Sequence, residues 1–144
     1  MKIADVLKKK GSQVHTIKPT ETIAALSRLL QMRRVGAVVV SHNGKIIDGI
    51  ISERDIAYSL CERRGELHLL QVSALMSRQV VACSTTDSLN AAALVMSQRK
   101  IRHLPVREDG QLVGIISMRD IMEFRLSEME RRSAALHALV LAQD

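Results

Sequence analysis

Residues 49–56 read GIISERDI, and residues 114–121 read GIISMRDI. This near-identical pair decides how the rest of the chain is read. Each copy is a short apolar run, then a serine, then an arginine–aspartate pair and another apolar residue. The run predicts a strand, and Ser-x-Arg-Asp sits where a strand would hand over to a helix. With the serine as helix cap, the aspartate three positions on can reach back to the serine's amide. That reciprocal arrangement contributes about 1 kcal/mol per cap. The same junction suits a ligand. A first helical turn leaves N–H groups unpaired and carries partial positive charge, which favours phosphate. An ionised carboxylate accepts only, with room for two donors, each charge-assisted bond contributing roughly 1.5–3 kcal/mol. Capping and binding do not exclude each other.

The echo extends upstream of the octapeptide. Val14 falls on Val80, Thr20 on Thr86, Ala25 on Ala91, Arg33 on Arg99, Val40 on Val106 and Gly44 on Gly110, with one residue extra before Gly49. The chain is an internal duplication. Both copies predict a strand (14–17; 80–83) followed by a polar helix start (18–22; 84–88). A helical face follows, carried by Ile23, Leu26 and Leu30 in one copy and by Leu89, Ala92, Ala93 and Met96 in the other. Residues 37–40 and 104–106 then predict strands. Asn43-Gly44 and Asp109-Gly110 are hairpin signals leading into strands at 46–51 and 112–116, and a second helix starts at each Ser-x-Arg-Asp.

The unit is β-α-β-β-α and the class α+β. One unit leaves a sheet face it cannot bury alone. Two in tandem can pack their sheets together across a pseudo-twofold axis. Residues 1–65 hold the first repeat with an N-terminal segment; residues 66–144 hold the linker, the second repeat and an extended C-terminal helix. That helix, over 121–142, carries Met122, Leu126, Met129, Leu136 and an apolar run at 139–141. It packs either on its own core or on a second chain.

Composition narrows the function. Hydrophobic residues are 47% and charged residues 25%, so the chain can bury a core. With one Tyr, one Phe and no Trp, it lacks the aromatic platforms on which single-stranded nucleic acids stack. The net charge of +6 is spread over residues 8–10, 33–34, 63–64, 99–102 and 131–132. A basic excess can attract phosphate-bearing partners, but spread in this way it reads first as a solvated surface with cations near helix ends, and no helix concentrates it on one face for a nucleic acid. Cys61 and Cys83 form no motif, and the N-terminus has no signal-peptide pattern. No run approaches the ~18 apolar residues of a membrane span, so a cytoplasmic protein with no membrane partner is expected. His15, His42, His68 and His137 share no ligand spacing, so no metal is expected. With no Gly-rich phosphate loop and no nucleophile pair, neither an enzyme nor a catalytic cofactor is expected.

The stretches IKPTETIAAL, VGAVVV, GIISERDIA, VSALMS and RKIRHLPVREDGQLVGIIS, in this order and duplicated, resemble a tandem pair of cystathionine-β-synthase (CBS) domains, or Bateman module. They are most similar to the small bacterial stand-alone CBS-pair proteins. The resemblance implies a non-catalytic energy or redox sensor that binds AMP, ADP, ATP, NAD(H) or S-adenosylmethionine in clefts between the repeats. It also implies a disc-shaped homodimer of four repeats and a regulated partner protein.

By the same resemblance Asp55 and Asp120 hold ribose hydroxyls, and Ser52 and Ser117 lie near ribose or phosphate with Arg54 and Arg119 beside them. Arg102 and His103, ahead of Leu104 and Pro105, face phosphates. Backbone at Thr16, Ile17 and Lys18, and at Ala82, Cys83 and Ser84, meets the adenine. Ile50 and Ile115, with Ile51 and Ile116, can wall the purine without aromatic help. Two departures matter. Gly36-Ala37-Val38-Val39 stands where the second copy has Arg102-His103-Leu104-Pro105, so the two sites cannot be equivalent. Met118-Arg119 stands where related proteins often carry an apolar–Gly pair, which adds bulk and charge at the second mouth. The competing readings are a dimerisation module with no nucleotide response, and a nucleic-acid binder whose affinity would fall steeply with salt.

Overall fold

The duplicated pattern becomes two three-stranded sheets. A computed structural model describes residues 1–11 and 13–143; the side chains of the basic pair Arg63 and Arg64 lie outside the described residues. After a helix α1 (Ile3–Lys10), the first copy runs β1 (Thr16–Ile17), α2 (Ile23–Arg33), β2 (Ala37–Val40), β3 (Gly49–Ser52) and α3 (Glu53–Arg63). Two 3-10 turns, Arg64–Leu69 and Val72–Ala74, lead into the second copy: β4 (Cys83–Ser84), α4 (Leu89–Arg99), β5 (His103–Glu108), β6 (Gln111–Ser117) and α5 (Met118–Ala142). In each sheet the middle strand pairs parallel on one side and antiparallel on the other. The β-α-β-β-α reading of both copies holds.

Local chemistry sets the helix ends. Thr22 Oγ1 accepts the Ala25 N–H at 3.1 Å, and Ser88 Oγ accepts the Ala91 N–H at 3.0 Å. Each therefore satisfies an orphan donor of the first turn. Both helices stop at a left-handed residue, Arg34 (φ 54°) and Lys100 (φ 55°), which turns the chain sharply into the next strand.

The copies differ where their sequences do. The Asp109-Gly110 hairpin forms as expected, with φ of 51° and 76° at its two residues. Asn43-Gly44 does not make a matching tight turn. The residue inserted before Gly49 lengthens this connection, and side chains take over the work of strand pairing. Ser41 Oγ accepts the Gly44 N–H at 2.9 Å, and Asn43 Oδ1 accepts the N–H groups of Lys45 and Ile46, both at 2.9 Å. The following strand consequently starts at Gly49 rather than at residue 46. In the first sheet Thr16 pairs with Val39; the counterpart of Val39 in the second copy is Pro105, which has no N–H to give. Parallel pairing there begins one residue later, at Cys83↔Val106.

Buried apolar residues form two clusters, one per copy, and each is completed by the segment that precedes the other copy. Ile3, Val6 and Leu7 of α1 pack with Leu89, Met96, Leu104, Ile116 and Ile121 of the second copy. Leu67, Val72 and Met76 of the linker pack with Ile23, Leu26, Val38 and Ile51 of the first. The backbone bonds repeat the same plan. Ile3 N–H donates to Asp87 O, Ala4 N–H to Thr85 O, and Leu89 N–H to Met1 O. Val72 N–H donates to Glu21 O, Ser73 N–H to Pro19 O, and Ile23 N–H to Leu70 O. Residues 1–10 and 70–79 are thus counterparts, so the duplication includes the lead-ins, which the sequence comparison had left out.

Two glycines show how closely the lead-ins press. A Cβ on Gly49 would sit 2.8 Å from both Met76 Sδ and the Ser77 carbonyl oxygen; one on Gly114 would sit 2.7 Å from Leu7 Cδ2. Leu7 can rotate away, whereas the Ser77 carbonyl is held by the pairing of Ser77 with Ile50. Gly49→Ala should therefore cost about 1–3 kcal/mol, the range for overpacking, and Gly114→Ala clearly less. Urea unfolding of the two variants reads this directly. Equal losses would mean that Ser77 can move as freely as Leu7.

Candidate functional site

The first Ser-x-Arg-Asp opens onto a cleft of about 390 Å³ between the two copies. One wall is the end of β3 and the first turn of α3, with Ile50, Ser52, Glu53, Arg54 and Asp55. The facing wall is the exit of α4 into β5, with Lys100, Ile101, Arg102 and His103. Gly36 and Ala37 lie between the walls, and Ser77, Gln79 and Val81 of the linker close one side. The linker is held there by backbone: the Ile50 N–H donates to Ser77 O at 3.0 Å and the Ser77 N–H to Ile50 O at 2.9 Å. Lys100 reaches the cleft because the left-handed turn after α4 places it at the mouth.

Asp55 is both cap and candidate ligand group. Its Oδ2 accepts from the Ser52 N–H at 2.8 Å and from the Ser52 hydroxyl at 3.1 Å. Among the described residues its Oδ1 has no partner, so one oxygen fixes the helix start and the other is left to accept from a ligand. Arg54, Lys100 and Arg102 bring three cations to the same cleft, against the two acids Glu53 and Asp55.

The second Ser-x-Arg-Asp has the same backbone and different surroundings. Asp120 Oδ2 accepts from the Ser117 N–H at 2.8 Å, and the Asp120 N–H donates to Ser117 Oγ at 3.1 Å, a complete capping box. The same Oδ2 also accepts from Lys10 Nζ at 2.7 Å. Arg119 turns along its own helix to Glu123, at 2.9 Å, an exposed pair that contributes little to stability.

His103 stands between the two junctions. Burial holds its imidazole below the ordinary histidine range. Asp120 and Glu53 pull it upward, and Lys10 and Arg102 push it further down. The ring is neutral at pH 7 and can offer the cleft one donor and one acceptor.

Of the residues expected at a site, the cleft gathers Ile50, Ser52, Arg54, Asp55, Arg102 and His103, with Ile51 behind them. Ile115, Ser117, Arg119 and Asp120 lie at the other junction. Thr16 and Ile17 form β1 and Lys18 follows it; Ala82 precedes β4 and Cys83 opens it, and Pro105 is buried in β5. None of these lines the cleft. Burial pushes the Cys83 thiol up to about 11, so it is no nucleophile at neutral pH. Glu53, Tyr58, Ser77, Gln79, Val81, Lys100 and Ile101 complete the lining and were not anticipated. Lys100 had a signal, since its counterpart Arg34 repeats a basic helix end. Ser77 had none, because backbone alone ties it to Ile50 of β3. Among the described residues no group of three His, Cys, Asp or Glu side chains is placed to hold a metal, and no described helix is long and apolar enough to cross a membrane.

Comparison with known proteins follows the same two halves. The family model described as CBS domain matches residues 3–62 and 72–127. The chain is 32% identical over 123 residues to the CBS domain-containing protein YhcV of Bacillus subtilis, covering 85% of this chain and 86% of that one. It is also similar to much longer Arabidopsis thaliana proteins, of which it spans about a quarter. The crystal structure of the CBS-domain containing protein ATU1752 from Agrobacterium tumefaciens superposes with a TM-score of 0.83 at 32% identity, over 87% of this chain and 99% of that one. The CBS domain pair of protein MJ0100, in complex with 5′-methylthioadenosine and S-adenosyl-L-methionine, superposes with a TM-score of 0.77 at 22% identity, over 89% and 98%. That last likeness concerns the fold.

Proposed function

The chain belongs to the CBS-domain family, and from that premise we propose that its cleft binds an adenine nucleotide and that the module regulates a partner protein without chemistry of its own. One observation carries this reading: Asp55, with Oδ1 unengaged among the described residues, lines the same cleft as Lys100 and Arg102. A carboxylate for the ribose diol and a pair of cations for phosphate are the complementary groups a nucleotide requires. Ile50, Val81 and Ile101 add apolar surface for a purine. The volume of about 390 Å³ falls within the range of small-molecule pockets, ~300–1,000 Å³. The ligands of the MJ0100 pair are adenosine compounds, which supports the class of ligand; AMP, ADP, ATP and NAD(H) are the candidates.

Both copies line the cleft, so a ligand that touches both walls favours one relative placement of the halves. That differential is what a partner protein can read. Cys61, free and exposed, fits a reducing compartment such as the cytoplasm.

At a hundred times its Kd, a ligand that binds only the folded state adds about 2.7 kcal/mol. For a chain of this size that raises Tm by roughly 5–10 °C. At least one of AMP, ATP and NADH should produce such a shift, and flat melting curves with all three at millimolar concentration would contradict the proposal. A second reading, association with a second copy, is favoured by α5. It leaves Met122, Leu126, Met129, Leu136, Leu139, Val140 and Leu141 exposed. Sedimentation across a concentration series distinguishes a homodimer from a monomer.

A further inference from the structure

We propose that Lys10 is a tethered occupant of the second Ser-x-Arg-Asp junction, so that each chain takes a single nucleotide, at the first junction. This rests on the nucleotide reading above and goes beyond it to stoichiometry and to the residue that sets it.

The lead-ins 1–10 and 70–79 are counterparts by their backbone bonds, which places Lys10 opposite Gln79 in sequence. Gln79 lines the open cleft. Lys10 reaches into the other junction: its Nζ donates to Asp120 Oδ2 at 2.7 Å and to the Ile115 carbonyl at 2.8 Å. Those are the aspartate of the motif and the carbonyl that corresponds to Ile50 O. In the first copy Ile50 O is taken by the Ser77 backbone, and among the described residues no cation is bonded to Asp55.

The second junction keeps Arg34 as the counterpart of Lys100 but loses the other basic pair of the facing wall. Gly36 and Ala37 stand where the first cleft has Arg102 and His103. The ammonium from α1 therefore sits on Asp120 Oδ2 and the Ile115 carbonyl together, and crowds the approach to this carboxylate. The neighbouring lysine fixes the helix that carries it. Lys9 Nζ bonds Ser127 Oγ and lies 5.7 Å from the Phe124 ring centre, both on α5. Lys10 is thus held by a short, anchored tether rather than by an unrestrained terminus, and a ligand at Asp120 has to displace it.

The test is calorimetric titration of the full chain with AMP, comparing wild type with Lys10→Gln, the substitution that makes the two lead-ins alike. Lys10 is partly exposed, so folding should be retained. Wild type should bind one AMP per chain. Lys10→Gln should bind two, the second more weakly because no counterpart of Arg102 faces it. Adding Asp120→Ala to Lys10→Gln should remove the second event alone, and adding Asp55→Ala the first alone. Two sites in wild type, or one site remaining in Lys10→Gln, would overturn the role of Lys10 while leaving the nucleotide reading intact. Heat from neither protein with AMP, ATP or NADH would overturn both.

Discussion

Asp55→Ala should lower nucleotide affinity by roughly 10–150-fold, and Asp120→Ala should leave it within about twofold. The first figure is the loss of roughly 1.5–3 kcal/mol of charge-assisted bonding, converted through the affinity scale. The sequence treats the two aspartates alike, since both end the same octapeptide. Their surroundings separate them. Asp55 faces the cleft that also holds Lys100 and Arg102, whereas Asp120 is joined to Lys10 with side chains 18% and 36% exposed. Losing Asp120 removes a helix cap and strands a partly solvated lysine. Its effect should therefore be on stability, of order 1 kcal/mol, rather than on affinity. Asp55→Ala loses a cap as well, so affinities are measured by calorimetry well below the melting range, with Asp55→Asn as a variant of equal size. Equal affinities for the two alanine variants would return Asp55 to a purely structural role.

Ile3→Ala should cost about 2–5 kcal/mol, although it lies at the very start of the chain. Residues near a terminus ordinarily tolerate change. Ile3 has 0% exposure and sits in the core of the second copy with Leu89, Leu104 and Ile116. Truncating it leaves a cavity that α1 cannot close, because Ile3 N–H to Asp87 O and Ala4 N–H to Thr85 O fix the helix in place. For a chain of this length the expected fall in Tm is of order 10 °C. Leu136→Ala is the comparison, since that side chain is 64% exposed on α5 and its loss should stay within about 0.5 kcal/mol in a dilute, unassociated sample. Similar denaturation midpoints for the two variants would show that α1 does not complete the second core.

The octapeptides and the pattern around them revealed the β-α-β-β-α unit, its duplication and the helix start at Ser52 and Ser117, because apolar periodicity and capping chemistry are local. They did not reveal the crossing of the lead-ins. Ile3-Val6-Leu7 and Val72-Leu75-Met76 are too short and too degenerate to stand out, and their partners lie far away in the chain. Asn43-Gly44 carries the dipeptide signal of a tight hairpin; the extra residue before Gly49 overrides it, and the Ser41 and Asn43 side-chain bonds show how. The candidate site was legible in part for the same reason. Asp55 and Ser52 belong to a motif, and Arg102 and His103 to a basic helix exit. Ser77 reaches the cleft through a backbone pairing with Ile50 that no residue type announces. Lys10 reads as a cation beside a helix end, and its 2.7 Å bond to Asp120 adds a difference between the junctions that the sequence does not show.

The most direct measurement is a crystal structure of the full chain grown with whichever of AMP, ATP or NADH raises Tm most. The account predicts density in the cleft between α3 and α4, with ribose hydroxyls on Asp55, phosphate beside Lys100 or Arg102, and Lys10 still on Asp120. An empty cleft at saturating nucleotide, or a nucleotide seated at Asp120 with Lys10 displaced, would contradict it.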